Sequence, residues 1–354
     1  MSQIDPIYTK LAEKTNAPKN KVLPKLLQKI ANLEQARIMY ELPNTAENIA
    51  TTLALDKSKV EKHLRLLYER GLVTPGRHGW NFVTNLMLLK DHIGEADPKY
   101  DNDEVFDLAQ EMSLEDSESL AKRLKRGDKI PPVRQVMRVL PKWRSIQDIP
   151  GVLPIEDIHE IFKNNSPIVV HRCPCRVCYR NRPCKDTIAV ETCIAAGKTG
   201  QRLLERGVGR ELSYDEFLAF LDRLDECSLV NMTGNSNLMP SILCSCCNDC
   251  CGLFVKGAYT KRLLGQVPYA KSRFIIEEYP GDCTSCGICA DSKCPVNAIS
   301  MKFFPEFNEE RAYTDTKECI GCGICVLSCP SDARKMRLER PPEFIPDLAS
   351  VLDG

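Results

Sequence analysis

The feature that most constrains this sequence is a repeated cysteine spacing near its C-terminus. Two runs carry it: Cys283-x2-Cys286-x2-Cys289-x4-Cys294-Pro295 and Cys319-x2-Cys322-x2-Cys325-x3-Cys329-Pro330. Glycine lies between the cysteines of both runs, and glycine permits a tight loop whose backbone N–H groups approach the sulfur atoms. Each run therefore favours a loop wrapped around a metal–sulfur group, with the proline turning the chain away after the fourth cysteine.

The spacing resembles that of bacterial-type 2[4Fe-4S] ferredoxins over residues 275–340. The resemblance implies that the fourth cysteine of each run binds the cluster held by the other run. The implied ligands are Cys283, Cys286, Cys289 and Cys329 for one cluster, and Cys319, Cys322, Cys325 and Cys294 for the second. The first run departs from the family's spacing, because four residues rather than three precede its last cysteine. Zinc is the alternative for paired C-x2-C motifs, but two four-membered runs closed by Cys-Pro favour iron–sulfur clusters.

Cysteine usage along the whole chain indicates metal chemistry rather than a disulfide framework. All 19 cysteines of the 354 residues lie between Cys173 and Cys329. A disulfide scaffold is short and exported, whereas this N-terminus lacks the charged-then-apolar pattern of a signal peptide. No apolar run has the length of a membrane span. The 48 basic residues balance 48 acidic ones, which argues against a chain built mainly to coat nucleic acid. These features predict a cytoplasmic protein.

A second group of cysteines lies in the middle of the chain, where the pattern predicts mixed α/β structure. Cys173-x-Cys175-x2-Cys178 follows a short apolar strand, and the loop around it is basic. Neighbouring cations lower thiol pKa values and favour the thiolates that a cluster needs. We expect a third [4Fe-4S] cluster here; a second extra cluster, an open-coordinated reactive cluster and zinc are the alternatives. The candidate ligands are Cys173, Cys175, Cys178, Cys184, Cys193, Cys244, Cys246, Cys247, Cys250 and Cys251.

The N-terminal region has the pattern of two helices followed by a hairpin. Helices are predicted at 45–55 and 57–70, with Asp56 as the cap of the second, and residues 72–83 predict two strands. This order resembles the winged helix-turn-helix of bacterial regulators over residues 22–93.

A DNA-reading role would place three side chains of the second helix in a groove, namely Ser58, Lys62 and Arg65. Glu61 and Glu69 interrupt that face, and the domain is only slightly basic. We therefore favour a structural or interaction role over DNA contact.

Together the regions resemble a family of largely uncharacterised iron–sulfur proteins of anaerobic bacteria and archaea, which join a winged helix, a Cys-rich middle domain and a two-cluster ferredoxin. The middle region carries this likeness in Cys173-Pro-Cys-Arg176, Glu191-Thr-Cys193, Cys244-Ser-Cys-Cys247 and Cys250-Cys251. The predicted fold class is α+β multidomain. The predicted segments are a winged-helix domain (1–95), a charged linker with helical pieces (96–149), an α/β Cys-rich domain (150–274), a ferredoxin domain (275–340) and a tail (341–354).

These features favour an electron-transfer protein that passes single low-potential electrons between two [4Fe-4S] clusters, a third cluster and a partner reductase or dehydrogenase. One alternative is a redox-responsive winged-helix transcription regulator. Another is an oxidoreductase with its substrate site at the middle cluster, although the sequence has no flavin or nicotinamide fingerprint. Whether the chain is itself an enzyme is left open.

Overall fold

The structure is a computed structural model that describes residues 3–180 and 190–347. Cys184, one of the candidate ligands, lies outside the described residues. The described chain forms two compact units: the first comprises 3–131, 172–180 and 203–209, and the second comprises 132–171, 190–202 and 210–347. This division differs from the five segments expected from the sequence, because the segment with Cys173, Cys175 and Cys178 belongs to the N-terminal unit.

Thirteen helices can be assigned in the described residues. In chain order they are α1 (Pro6–Glu13), α2 (Leu23–Ile30), α3 (Leu33–Tyr40), α4 (Ala46–Leu53), α5 (Lys57–Glu69), α6 (Leu86–Glu95), α7 (Asp103–Lys125), α8 (Ile158–Lys163), α9 (Pro174–Cys178), α10 (Gly197–Glu205), α11 (Tyr214–Asp225), α12 (Gly252–Leu264) and α13 (Ile324–Leu327). None of these helices is both long and apolar enough to cross a membrane.

The described residues also form thirteen strands. They are β1 (Val73–Gly76), β2 (Gly79–Phe82), β3 (Met137–Val139), β4 (Ile168–Arg172), β5 (Glu191–Ala196), β6 (Arg210–Leu212), β7 (Val230–Gly234), β8 (Ile242–Cys246), β9 (Tyr269–Ala270), β10 (Phe274–Glu278), β11 (Ile299–Phe304), β12 (Glu309–Thr314) and β13 (Arg334–Leu338).

The first unit is mainly helical and contains the helix–helix–hairpin order expected for residues 45–83. The Asp56 carboxylate accepts hydrogen bonds from the N–H groups of Ser58 and Lys59 and so caps α5. Leu64 and Leu67 of α5 are fully buried, and β1 pairs with β2 in an antiparallel hairpin. The winged helix remains our interpretation of this order.

The charged linker expected for residues 96–149 contains one long helix. Residues Asp103–Lys125 form the 23-residue helix α7, which begins at the Asn102 cap. Its first turn is acidic and its last turn is basic. This arrangement stabilises a helix, because each set of charges lies at the end of the helix dipole that has the opposite sign.

The second unit is built on a seven-stranded sheet with the order β6-β4-β5-β8-β7-β3-β9. The Cys-rich strand β8 lies near its centre, antiparallel to β5 and β7. The sheet therefore places Cys193 of β5 directly opposite Cys244 of β8.

Two antiparallel strand pairs carry the C-terminal cysteine runs within the second unit. β10 pairs with β13, and β11 pairs with β12. The first run leads into β11 and the second run leads into β13. Phe274 and Ile276 of β10 and Met336 of β13 are buried against Ile146, which holds the strand pair that includes β13, the strand that follows the second run.

Candidate metal centre

The structure sorts the eight C-terminal cysteines into two groups of four, each lining its own cavity. The first cavity, of about 400 Å³, is lined by Cys283, Cys286, Cys289 and Cys329. The second, of about 370 Å³, is lined by Cys294, Cys319, Cys322 and Cys325. Three cysteines of one run thus meet the fourth cysteine of the other. The ferredoxin resemblance implied the same grouping, and cluster binding by these cysteines stays a prediction.

The extra residue of the first run is taken up in a turn of π-helix. Cys289–Lys293 form this turn, and the N–H groups of Ala290 and Asp291 both donate to the Gly287 carbonyl at 2.9 and 3.0 Å. A π-helical turn contains more residues than an α-helical one. Because the turn absorbs the insertion, Cys294 still reaches the second cavity.

Hydrogen-bond donors around the thiols fit an iron–sulfur cluster. The N–H of Ala298 donates to Cys294 Sγ at 3.1 Å, and the N–H of Ile324 donates to Cys322. Arg334 lines the first cavity, and its buried Nε has no hydrogen-bond partner among the described residues. Donors that point toward sulfur stabilise a negatively charged cluster, so the residues present fit the group.

Burial raises the pKa of two thiols of the second group. It raises the pKa of Cys325 to about 12, although a hydrogen bond and the charge of Arg334 act in the opposite direction. It also raises the pKa of Cys322. Cluster binding requires thiolates, so the metal must supply the free energy that removes these protons.

Gly321 in the loop of the second run packs closely against the backbone of β10. Gly321 has φ +70°, and a Cβ placed on it would lie 2.2 Å from the Phe274 carbonyl oxygen. Backbone cannot move away as a flexible side chain can. Gly321→Ala should therefore lower the free energy of unfolding by about 3 kcal/mol, through left-handed strain and overpacking.

The matched control for this substitution is Gly281→Ala, because a Cβ at Gly281 would meet nothing within 4 Å. Guanidinium unfolding of anaerobically prepared protein measures both variants. A Gly321→Ala midpoint equal to that of Gly281→Ala would contradict the packing described here.

The middle cysteines of the first unit meet a lysine that sequence inspection missed. Lys90 of α6 is only 4% exposed, and its Nζ lies 3.4 Å from Cys175 Sγ and 2.7 Å from an Asp91 oxygen. Cys178 Sγ donates to the Lys90 carbonyl at 3.7 Å. The signal in the sequence is a lysine at a buried position of a largely apolar helix.

Two arginines of the basic loop pair with acidic side chains, whereas Arg182 lies outside the described residues. Arg172 forms a two-pronged ion pair with Asp101 at 2.9 Å, and Arg180 pairs with Asp103 and Asp107 at 3.2 and 3.0 Å. Burial raises the pKa of Cys178 to about 12. The expectation that the basic loop lowers thiol pKa values is therefore wrong for Cys178, because desolvation outweighs the nearby positive charge.

The middle cysteines of the second unit form two neighbouring groups. Cys246 hydrogen-bonds with Cys244 and Cys251, which raises its pKa. Cys247 Sγ lies 2.8 Å from Cys250 Sγ, and this hydrogen bond lowers the pKa of Cys247 to about 7. The adjacent thiols of Cys246 and Cys247 thus have different partners.

An acidic side chain joins the second of these groups. A ligand oxygen of Asp249 lies within 4.8 Å of the sulfur atoms of Cys247 and Cys250, a grouping able to hold a metal ion. The side-chain amide of Asn248 in the same loop donates to the Pro295 carbonyl at 2.9 Å. Pro295 follows Cys294, so this loop contacts the backbone beside the second cavity.

Two of the three candidate DNA-reading residues are engaged within the protein. The hydroxyl and N–H of Ser58 both bind Asp56. Arg65 pairs with Glu69 at 3.2 Å and donates to the Glu205 carbonyl at 2.6 Å, whereas Lys62 is exposed. DNA binding by these residues stays a prediction, and the intramolecular contacts of Ser58 and Arg65 do not support it.

The segment that contains both C-terminal cysteine runs matches a known family. Residues 282–334 match the profile of the family described as 4Fe-4S dicluster domain. These residues form a 4Fe-4S dicluster domain. The dicluster domain spans the two cysteine runs, whose eight cysteines line the two cavities, and it indicates at least two [4Fe-4S] clusters.

Similar proteins match part of the chain. NADH-quinone oxidoreductase subunit I of Pelobacter propionicus is 36% identical over 66 residues, which cover 17% of this chain and 35% of that protein. An uncharacterised ferredoxin of Methanocaldococcus jannaschii is 30% identical over 99 residues, or 27% of this chain and 51% of that protein. The chain thus spans at most about half the length of these relatives. No solved structure matches it.

Proposed function

We propose that this chain is an iron–sulfur electron-transfer protein with two [4Fe-4S] clusters in its dicluster domain, a third centre among its middle cysteines, and an oxidoreductase as its partner. The observation that carries the proposal is the sorting of eight thiols into two cavities, with Cys294 and Cys329 exchanged between the runs. When bound, each [4Fe-4S] cluster takes up or releases one electron. The chain itself holds the thiols, donates hydrogen bonds to sulfur and limits solvent access.

The residues that line the first cavity are more exposed than those of the second run. This difference supports docking of the partner at the first cavity. Cys286 is exposed, as are Tyr279 and Ile288, which line the same cavity and are 37% and 38% exposed. The second run is covered instead: the N–H of Lys142 donates to the Cys322 carbonyl at 3.0 Å. The name of the similar Pelobacter protein, an oxidoreductase subunit, also supports an oxidoreductase as the partner class.

The grouped thiols of the middle region support a third centre. Cys244, Cys246 and Cys251 lie together, and Cys247 and Cys250 form a second group beside them. None of the described cysteines forms a disulfide, and free thiols gathered in this way are typical of metal or redox sites. A [4Fe-4S] cluster is the form of this centre that we propose.

Metal analysis tests the number of centres. Anaerobically purified protein should contain about twelve irons and about twelve acid-labile sulfides per chain, because each of three [4Fe-4S] clusters contributes four of each. About eight of each would confine the clusters to the dicluster domain and overturn the third centre. Zinc in place of iron would overturn the whole proposal.

A further inference from the structure

The two halves of the dicluster repeat differ at one buried position. Cys294-Pro295-x2-Ala298-Ile299 in the first half corresponds to Cys329-Pro330-x2-Ala333-Arg334 in the second. Ile299 begins β11 and is 8% exposed, whereas Arg334 begins β13 and is 3% exposed. An apolar residue in one half is therefore replaced by a buried cation in the other. Burying a guanidinium group costs free energy unless it is paired, so its surroundings are informative.

Arg334 interacts with thiols of both groups. Its side chain hydrogen-bonds to Cys325 of the second cavity and interacts electrostatically with Cys289 of the first. It also lines the first cavity, where its buried Nε has no hydrogen-bond partner among the described residues. The guanidinium group thus lies between the two thiol groups, with a donor to spare.

A single carboxylate balances this charge. Glu278 Oε1 lies 3.0 Å from Arg334 Nη2 and accepts a hydrogen bond from Thr314 Oγ1 at 2.6 Å. Arg334 also donates to Thr314 Oγ1. Glu278 lines the first cavity and Thr314 lines the second, so the three side chains form a polar wall between the cavities.

Resting on the proposed electron-transfer function, we propose that Arg334 and Glu278 are positioning residues that set the reduction potentials of the dicluster domain in opposite directions. Reduction of a cluster adds one negative charge to the cluster and its four thiolates. A buried guanidinium beside those thiolates favours the reduced form, and a carboxylate beside them disfavours it. Charge-assisted N–H···S hydrogen bonds from Arg334 act in the same direction as its charge.

An EPR-monitored redox titration of the full, anaerobically prepared chain tests this inference. Arg334→Met should lower the ratio of reduced to oxidised cluster about tenfold at a fixed ambient potential, which corresponds to about 59 mV for a one-electron couple. Arg334→Lys, which keeps the charge, should recover part of the shift. Glu278→Gln should move the ratio the other way.

Opposite signs separate an electrostatic role from a purely structural one. The matched control is Arg337→Met on the same strand, because Arg337 pairs with Glu339 and its side chain is 48% exposed; its titration should equal that of the wild type. If Arg334→Met fails to retain clusters, the potentials of Glu278→Gln and Arg334→Lys still test the inference. Wild-type potentials in these two variants, with both clusters present, would overturn the inference. A wild-type protein without cluster signals would instead overturn the proposed function.

Discussion

Replacing Cys286 and Cys322 together by serine should abolish the EPR signals of the dicluster domain in reduced protein. Each substitution removes one thiol from a separate cavity, and serine is a poor replacement for the soft thiolate ligand that iron–sulfur clusters use. We expect iron to fall from about twelve to about four per chain, with the remainder in the middle region. EPR spectra and iron analysis of the dithionite-reduced variant measure both effects.

Cys227→Ser is the matched control for this pair. Cys227 lies at the end of α11 in the same unit, and its Sγ donates to the Arg223 carbonyl at 3.8 Å. It lines neither cavity, so this substitution should leave the signals and the iron content unchanged. Unaltered ferredoxin-type signals in the double variant would show that the ligand sets are wrong.

Removing the buried ion pair between Arg273 and Glu156 should strongly destabilise the second unit. The two side chains are 2% and 3% exposed and lie 2.7 Å apart. Arg273 Nε also donates to the Arg340 carbonyl at 3.1 Å, so it joins the start of β10 to the segment after β13. Arg273→Met leaves the Glu156 charge buried and uncompensated, and the free energy of unfolding should fall by about 3–5 kcal/mol.

The exposed pair of Lys261 and Glu318 supplies the comparison for this prediction. Their side chains are 50% and 39% exposed, and such pairs contribute less than about 1 kcal/mol. Lys261→Met should therefore shift the guanidinium midpoint only slightly, whereas Arg273→Met should shift it markedly. Equal midpoints for the two variants would refute the role given to burial.

The parts of the site that follow from local spacing were predictable from the sequence. Three cysteines at two-residue intervals come together through their own loop, and the resemblance to two-cluster ferredoxins implies the exchange of the fourth cysteine. Asp56 as a helix cap is equally local. The dicluster domain, its cofactor class and the helix–helix–hairpin order were accessible for this reason.

Contacts between distant segments were not predictable in the same way. Lys90 and Cys175 are 85 positions apart, and no local pattern brings them together. The basic residues near Cys173 and Cys178 led us to expect lowered thiol pKa values. The sequence does not show that Asp101 and Asp107 pair with Arg172 and Arg180. Arg334 likewise appears in the sequence only as an irregularity of a repeat; its role depends on tertiary packing.

The exchange of Cys294 and Cys329 between the runs has a consequence for biosynthesis. The first cavity lacks its fourth thiol until the chain has been synthesised as far as Cys329. The second cavity lacks its full set until Cys325 has been made, even though Cys294 precedes it. With the proposed ligand sets, neither half of the dicluster domain holds four thiols by itself, so cluster insertion into both cavities must follow the synthesis of Cys329.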